Sequence, residues 1–421
     1  MTMTSREKIL ASLNHKPGPV AVDFGSTHVS GIHVSCVAAL RRHYGLAEHP
    51  VKVFEPYQML GLIEDDLRDA LGIDAIGLFG RDTMFGYPCA NWREWRAPWG
   101  QVMLVPGDFL PQPAPDGGFL MHPGGDLSVP ASGHLPRNGY FFDAIIRQEP
   151  IDEEKLNPLD NCEEFALLSD AALEHWRGEL AGVRDSQRAV VASLGGMGFG
   201  DIALVPATAL KRPRGIRDVA EWYMALVERR DYVHAIFERQ CEIALKNLET
   251  FAKMAGDIVD VLFVCGTDFG TQTSQFCSVA TYNELYAPYY RRVNDWVHAH
   301  TKWKTIKHSC GAVQPLIPGF IESGFDIVNP VQCSAKDMEP ERLKREFGGR
   351  IVFWGGGVDT QKTLPFGTPE EVRAEVLGRL RVFAPGGGFV FNAIHNIQAL
   401  TPTENIVAMI DAIRDYNGAG A

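Results

Sequence analysis

The sequence has no run of lysine or arginine long enough to follow a phosphate backbone. Its one basic cluster, Lys211-Arg212-Pro213-Arg214, reads as a solvated loop before a helix, and the net charge is −12, which argues against nucleic-acid binding. No stretch approaches the ~20 apolar residues of a membrane span. The first residues, Met1-Thr2-Met3-Thr4-Ser5-Arg6-Glu7, run into a charged helix without the apolar segment of a signal peptide, so a cytoplasmic protein that meets no membrane is expected. Cysteine is sparse: Cys36, Cys89, Cys162, Cys241, Cys265, Cys277, Cys310 and Cys333 are spread over 421 residues without disulfide-scaffold spacing, which makes reduced thiols the default.

What is present is an ordinary globular composition, 45% apolar and 22% charged, with 42 glycines and 26 prolines that point to many loops. Thr4 and Glu7 have capping-box spacing ahead of a short helix carrying Ile9, Leu10 and Leu13. Strand candidates begin near Val20, Ile73, Arg188, Ile258, Lys304, Phe325, Arg350 and Gly388, and most are separated by helical patterns. Arg188–Leu194 is continuously apolar, as a strand buried on both faces must be. Eight strands in α/β alternation predict a (β/α)8 TIM barrel, a single domain over 1–421. Tyr57–Leu71, Asp218–Gly256 (with a break near Arg230), Thr281 onward, Pro369–Phe383 and Pro402–Tyr416 read as helices, the last two with Thr caps at Thr368 and Thr401. Between about 81 and 143 the rhythm fails. Trp92, Trp95 and Trp99 among many Gly and Pro suggest an insertion of hairpins that caps the barrel mouth, its aromatics serving mainly to pack.

The chemistry gathers at Lys304-Thr305-Ile306-Lys307-His308-Ser309-Cys310-Gly311. His308 and Cys310 are two apart at a strand end, so both project to one face, and an imidazole with a thiolate is a donor pair suited to zinc. Cys265-Gly266-Thr267-Asp268-Phe269-Gly270-Thr271-Gln272 is a polar loop at the carboxyl end of another strand, the end that holds the chemistry in barrel enzymes. Asp359 and Gln361 follow the seventh strand after three glycines that leave room for a ligand, and Asp23 and His28 flank the end of the first as proton-handling candidates. Gly196-Met197-Gly198-Phe199-Gly200 lacks the spacing of a nucleotide loop and reads as a flexible mouth loop.

Several motifs together carry a family resemblance: Ser5-Arg6-Glu7-Lys8-Ile9-Leu10, Trp99-Gly100, Asp268-Phe269-Gly270-Thr271-Gln272, His308-Ser309-Cys310-Gly311, Asn329-Pro330-Val331-Gln332, Gly355-Gly356-Gly357-Val358-Asp359-Thr360-Gln361 and His395-Asn396-Ile397-Gln398 before Thr401-Pro402. Over essentially its whole length the chain resembles the uroporphyrinogen decarboxylase superfamily, which also contains zinc-dependent, corrinoid-linked methyltransferases. The resemblance implies a metal site of His308, Cys310 and a third ligand six residues before the final Thr-Pro. This chain has His395 there instead of the methyltransferases' usual Cys, and Cys265, Cys277 and Cys333 are rivals for the place. Asp268 and Gln272 are implied to orient the substrate or support the ligands. The decarboxylase's amino-terminal arginine-rich segment has no counterpart after Pro17, which disfavours a tetrapyrrole substrate. The resemblance thus implies a zinc-dependent methyltransferase or demethylase with a small-molecule substrate and a corrinoid (cobalamin) on a partner protein; the sequence leaves the oligomeric state open, a homodimer among the options. The alternatives are a metal-free decarboxylase of a small acid, using His308 and Asp268, and a catalytically silent ligand-binding barrel.

Overall fold

The computed structural model describes residues 3–419; the remaining ends of the expected domain, 1–2 and 420–421, lie outside the described residues. Eight strands form one sheet: β1 (Ala21–Val22), β2 (Ala75–Phe79), β3 (Ala189–Ser193), β4 (Val261–Cys265), β5 (Lys304–His308), β6 (Ile327–Asn329), β7 (Val352–Trp354) and β8 (Phe389–Phe391). Each strand from β2 to β8 pairs in parallel with the next, and β8 pairs with β1. The last seam, β1 to β2, is bridged where Asp74 donates its N–H to the Val22 carbonyl at 2.7 Å and its carboxylate accepts the Val22 N–H at 3.0 Å. The expected TIM-like barrel is therefore present, nearly closed.

Its interior is filled by Ala21, Ala75, Ala189, Val191, Val261, Ile306, Ile327, Val352, Trp354 and Val390, together with Ile9 and Leu13 of the first helix, α1 (Ser5–Leu13). Burial of those two side chains stabilises the docked helix by ~1.5–3 kcal/mol each, so α1 plugs one end of the barrel. The two-residue strand period then fixes what lines the other end. If Ile306, Ile327, Ala21 and Val390 point inward, so do His308, Asn329, Asp23 and Asn392.

The capping boxes at Thr4/Glu7 and Thr368/Glu371 both form. Helices Val219–Glu228 and Arg230–Ala255 meet at Arg229, as the expected break requires. Three helix starts differ from expectation. Tyr57–Leu71 is helical only over Asp65–Leu71, because the buried Glu55 carboxylate accepts the Tyr57 and Gln58 N–H groups at 3.0 and 2.7 Å and holds a turn between strands Val53–Glu55 and Leu60–Gly61. Ser278, not Thr281, caps its helix, accepting the Thr281 N–H at 3.0 Å. The last helix begins at Thr403, since the Thr401 hydroxyl donates back to the Gln398 carbonyl at 2.9 Å.

The insertion is antiparallel: a hairpin of Arg93–Arg96 with Val102–Val105, and a four-stranded sheet of Gln112–Pro113, Phe119–Met121, Gly133–Leu135 and Asp143–Ala144. Trp95 packs on Phe109 at 5.1 Å and Trp99 on Tyr140 at 5.1 Å, so these aromatics hold the insertion together. It is tied to the loops after β1 and β3 by His33 Nε2 with the Tyr140 carbonyl (3.0 Å) and by the Thr208 hydroxyl to the Met84 carbonyl (2.5 Å). Among the described residues, no helix is long and apolar enough to cross a membrane.

Candidate metal centre

β5 ends with His308 facing inward, and the chain turns at Gly311, whose φ of +87° suits glycine. A Cβ at Gly311 would lie 2.3 Å from the Gly270 carbonyl carbon, so the turn after β5 and the loop after β4 pack backbone to backbone. That contact sets Asp268 beside the turn, where its Oδ1 accepts the Cys310 N–H at 2.6 Å and lies 3.7 Å from His308 Nε2. His308 Nε2 and Cys310 Sγ are 3.4 Å apart.

His395 arrives from the loop after β8. Its neighbour Asn396 pins that loop to the one after β1, accepting the Gly31 N–H at 2.6 Å and donating to the His28 carbonyl at 2.9 Å. The ligand atoms of His308, Cys310 and His395 all lie within 4.8 Å of one another, the two imidazoles with centroids 5.4 Å apart. Tetrahedral zinc holds such N and S donors about 3.3–3.6 Å apart, so the pair from β5 is already at that spacing.

The electrostatics suit a cation. Burial pushes His308 down to about 3 and His395 down to about 4, so both imidazoles are neutral and keep a lone pair at ordinary pH. Burial, with the Asp268 carboxylate adding to it, raises the Cys310 thiol well above its usual range.

The rival cysteines are not in the group. The β4–β5 register shifts between Phe263 and Cys265: Phe263 pairs with inward Ile306, while Cys265 pairs with outward Lys307. The shift turns Cys265 into the helix layer beside Tyr290. Cys333 Sγ donates to the Val331 carbonyl at 3.4 Å, and Cys277 is half-buried on the loop after β4.

Gln272 is exposed, and its amide donates to Gln361 Oε1 at 3.2 Å, bridging the loops after β4 and β7. Asp359 caps its own loop through the Gln361 and Lys362 N–H groups. His28 sits between Phe54 and Phe79, ring centroids 6.0 and 4.6 Å away, and burial pushes it down to about 4. Asp23 is fully buried and accepts from Trp354 Nε1 at 2.9 Å. Two of the three glycines after β7 are packed tightly: Cβ atoms at Gly356 and Gly357 would lie 2.7 Å from the Val331 carbonyl oxygen and 2.3 Å from the Phe391 ring.

Sequence reasoning missed Asp201, on the glycine-rich loop after β3. Burial and then the Asp268 charge raise it to about 6. Tyr223, whose hydroxyl is buried without a hydrogen-bond partner, feels both carboxylates. An Asp closing a glycine loop at a strand's carboxyl end was the available signal.

Fold and donors together define an α/β-barrel protein with a candidate metal centre at the carboxyl end of its strands. A family model described as uroporphyrinogen decarboxylase (URO-D) matches residues 154–416, and the chain belongs to that family. It is similar to the uroporphyrinogen decarboxylases of Azoarcus sp. (strain BH72), 31% identical over 80 residues (19% of this chain, 22% of that one), and of Herminiimonas arsenicoxydans, 33% over 77 residues (18% and 21%). The chain thus spans about a fifth of the length of the curated relatives it matches. Among solved structures, a methyltransferase from Methanosarcina mazei shares the fold across 98% of this chain and 99% of its own, with TM-score 0.55 and 15% identity.

Proposed function

We propose that this chain is a zinc-dependent methyltransferase or demethylase, moving a methyl group between a small O- or S-methyl compound and a corrinoid on a partner protein or a thiol acceptor. The convergence of His308, Cys310 and His395 within 4.8 Å at the barrel mouth carries the reading. When bound by these three side chains, zinc would supply Lewis acidity at an open fourth position, to lower the pKa of an incoming thiol or draw charge from an oxygen leaving group. The chain's own part is to offer two neutral imidazoles and one thiol that gives up its proton on loading. Asp268, about a third exposed and fixed by the Cys310 N–H, is placed to orient a polar substrate group or take up its proton. Gln272 and Gln361 bridge the loops beside it and can hold the substrate's polar end.

Metal analysis with a methyl-transfer assay tests this: protein prepared without chelator should hold about one zinc, and His308→Ala, Cys310→Ala and His395→Ala should each lose both metal and turnover. A second reading, decarboxylation of a small acid, is favoured by the name of the matched family model and by the 3.7 Å contact of His308 Nε2 with Asp268, an acid–base pair needing no metal. Metal-free protein that releases carbon dioxide from a small acid would establish it and sink the first.

A further inference from the structure

We infer that Asn329 is a positioning residue that makes His308 a metal ligand, holding its imidazole as the Nδ1–H tautomer so that the Nε2 lone pair faces Cys310 and His395. This rests on the metal-centre reading above. Asn329 ends β6, one strand from His308, and is 1% exposed. Its amide has one consistent orientation. The Trp354 carbonyl, 2.7 Å away, can only accept, so the atom facing it is Nδ2; the oxygen then faces His308 Nδ1 at 2.6 Å. An amide oxygen can only accept as well, so the imidazole hydrogen must sit on Nδ1. Nε2, the nitrogen 3.4 Å from Cys310 Sγ, is left with its lone pair. In the other tautomer two acceptors would face each other in a buried site.

The amide is itself held from behind. The Trp354 indole donates to Asp23 Oδ2 at 2.9 Å, the Ser26 N–H donates to Asp23 Oδ1 at 3.1 Å, and Asn392 Nδ2 donates to the Asp23 carbonyl at 2.7 Å. Asp23, Ser26 and Asn392 are all fully buried. Gly355 turns the chain after Trp354 with φ +109°, a conformation that suits glycine, beside Asn329. A polar chain thus crosses the inner layer of the barrel from β5 through β6 and β7 to β1, ending at the imidazole that faces the other donors.

The test uses the full-length protein, wild type and the variants Asn329→Leu and Asn329→Asp. Zinc affinity is read by competition with a chromophoric chelator, the His308 tautomer by long-range 1H–15N correlation in metal-free protein, and folding by the thermal midpoint. Leu, similar in volume but without an acceptor, should weaken zinc about 10–100-fold; Asp, which keeps the acceptor toward His308 but loses the donor to the Trp354 carbonyl, should recover part of that loss. A filler role alone would make Asp at least as damaging as Leu. Zinc bound as tightly by Asn329→Leu as by wild type overturns the inference, as does His308 read as Nε2–H in wild type, a measurement that stands even if the Leu variant fails to fold. Wild type that shows the Nδ1–H tautomer yet takes up no zinc sinks the metal-centre reading itself and the ligand-positioning role with it.

Discussion

Loading the metal-free protein with zinc at pH 6 should release about one proton per site. With His308 pushed down to about 3 and His395 to about 4, about one molecule in a thousand and one in a hundred carry the extra proton on these rings at that pH. The Cys310 thiol, raised by burial and by Asp268, is fully protonated and must lose its hydrogen to become a ligand. Water in the fourth position keeps both its hydrogens, because zinc-bound water titrates near about 7. The same three residues in solvent, with histidines at their ordinary 6.5, would carry about 0.76 extra proton per ring and release about 2.5 in all. Isothermal titration calorimetry in buffers of different ionisation enthalpy reads the number directly. Release of about 2.5 protons would mean that the imidazoles are solvated before the metal arrives and would refute the burial argument, while release of none would remove Cys310 from the site.

Other outcomes follow from the same geometry. Cys265→Ala should keep full zinc content while Cys310→Ala abolishes it, read by metal analysis, because the register shift turns Cys265 away from the barrel interior. Asp268→Asn should weaken zinc about tenfold or more in a chelator competition, whereas Gln272→Ala, whose partner is Gln361, should leave it unchanged. Burial raises Glu55 from 4.5 to about 7, so the folded chain keeps a proton that the unfolded chain has lost, and this group costs stability as pH rises through that window. Relative to wild type, Glu55→Gln should gain about 2–3 kcal/mol between pH 5 and 7.5 in urea unfolding; parallel pH curves would refute the assignment.

The barrel was legible because strands of a parallel sheet are apolar on both faces, and runs such as Arg188–Leu194 or Ile258–Val264 stand out whatever surrounds them. The His308–Cys310 pair was legible for the same local reason, two residues apart on an extended strand with a glycine after them. His395 was not: nothing near it in sequence marks it, and only the family resemblance pointed there. Cys265 shows the limit of strand periodicity, since a one-residue register shift reverses which face a side chain takes. The turn at Glu55 shows another limit. Tyr57–Leu71 has a helical pattern, but a buried carboxylate two residues earlier binds the first N–H groups and spends the first half of the segment on a turn. Asp201 escaped, and the contact of Asn329 with His308 went unread although Asn329 stands in a family motif, because both depend on what neighbouring strands and loops bring to them.

Replacing a second thiolate by His395 would leave one net positive charge buried on zinc, and a barrel mouth of low polarity penalises an unbalanced charge. The structure answers with Asp268, whose carboxylate accepts the Cys310 N–H and stands 3.7 Å from His308 Nε2. Counting one thiolate, two neutral imidazoles, the divalent cation and this carboxylate, the cluster is neutral, as a two-thiolate site would be by its ligands alone. The balancing negative charge would then come from a group beside the metal's ligands, held there by the backbone packing of Gly270 on Gly311. A thiolate bound to the metal donates electron density to it, whereas a carboxylate a few ångströms off offsets the charge through space only. A zinc ion held there would therefore remain the stronger Lewis acid while the site as a whole avoided the cost of a buried net charge. The expected loss in Asp268→Asn is thereby tied to charge, and at 3.7 Å in a mostly buried site that charge is only weakly screened, so the loss should persist as ionic strength rises.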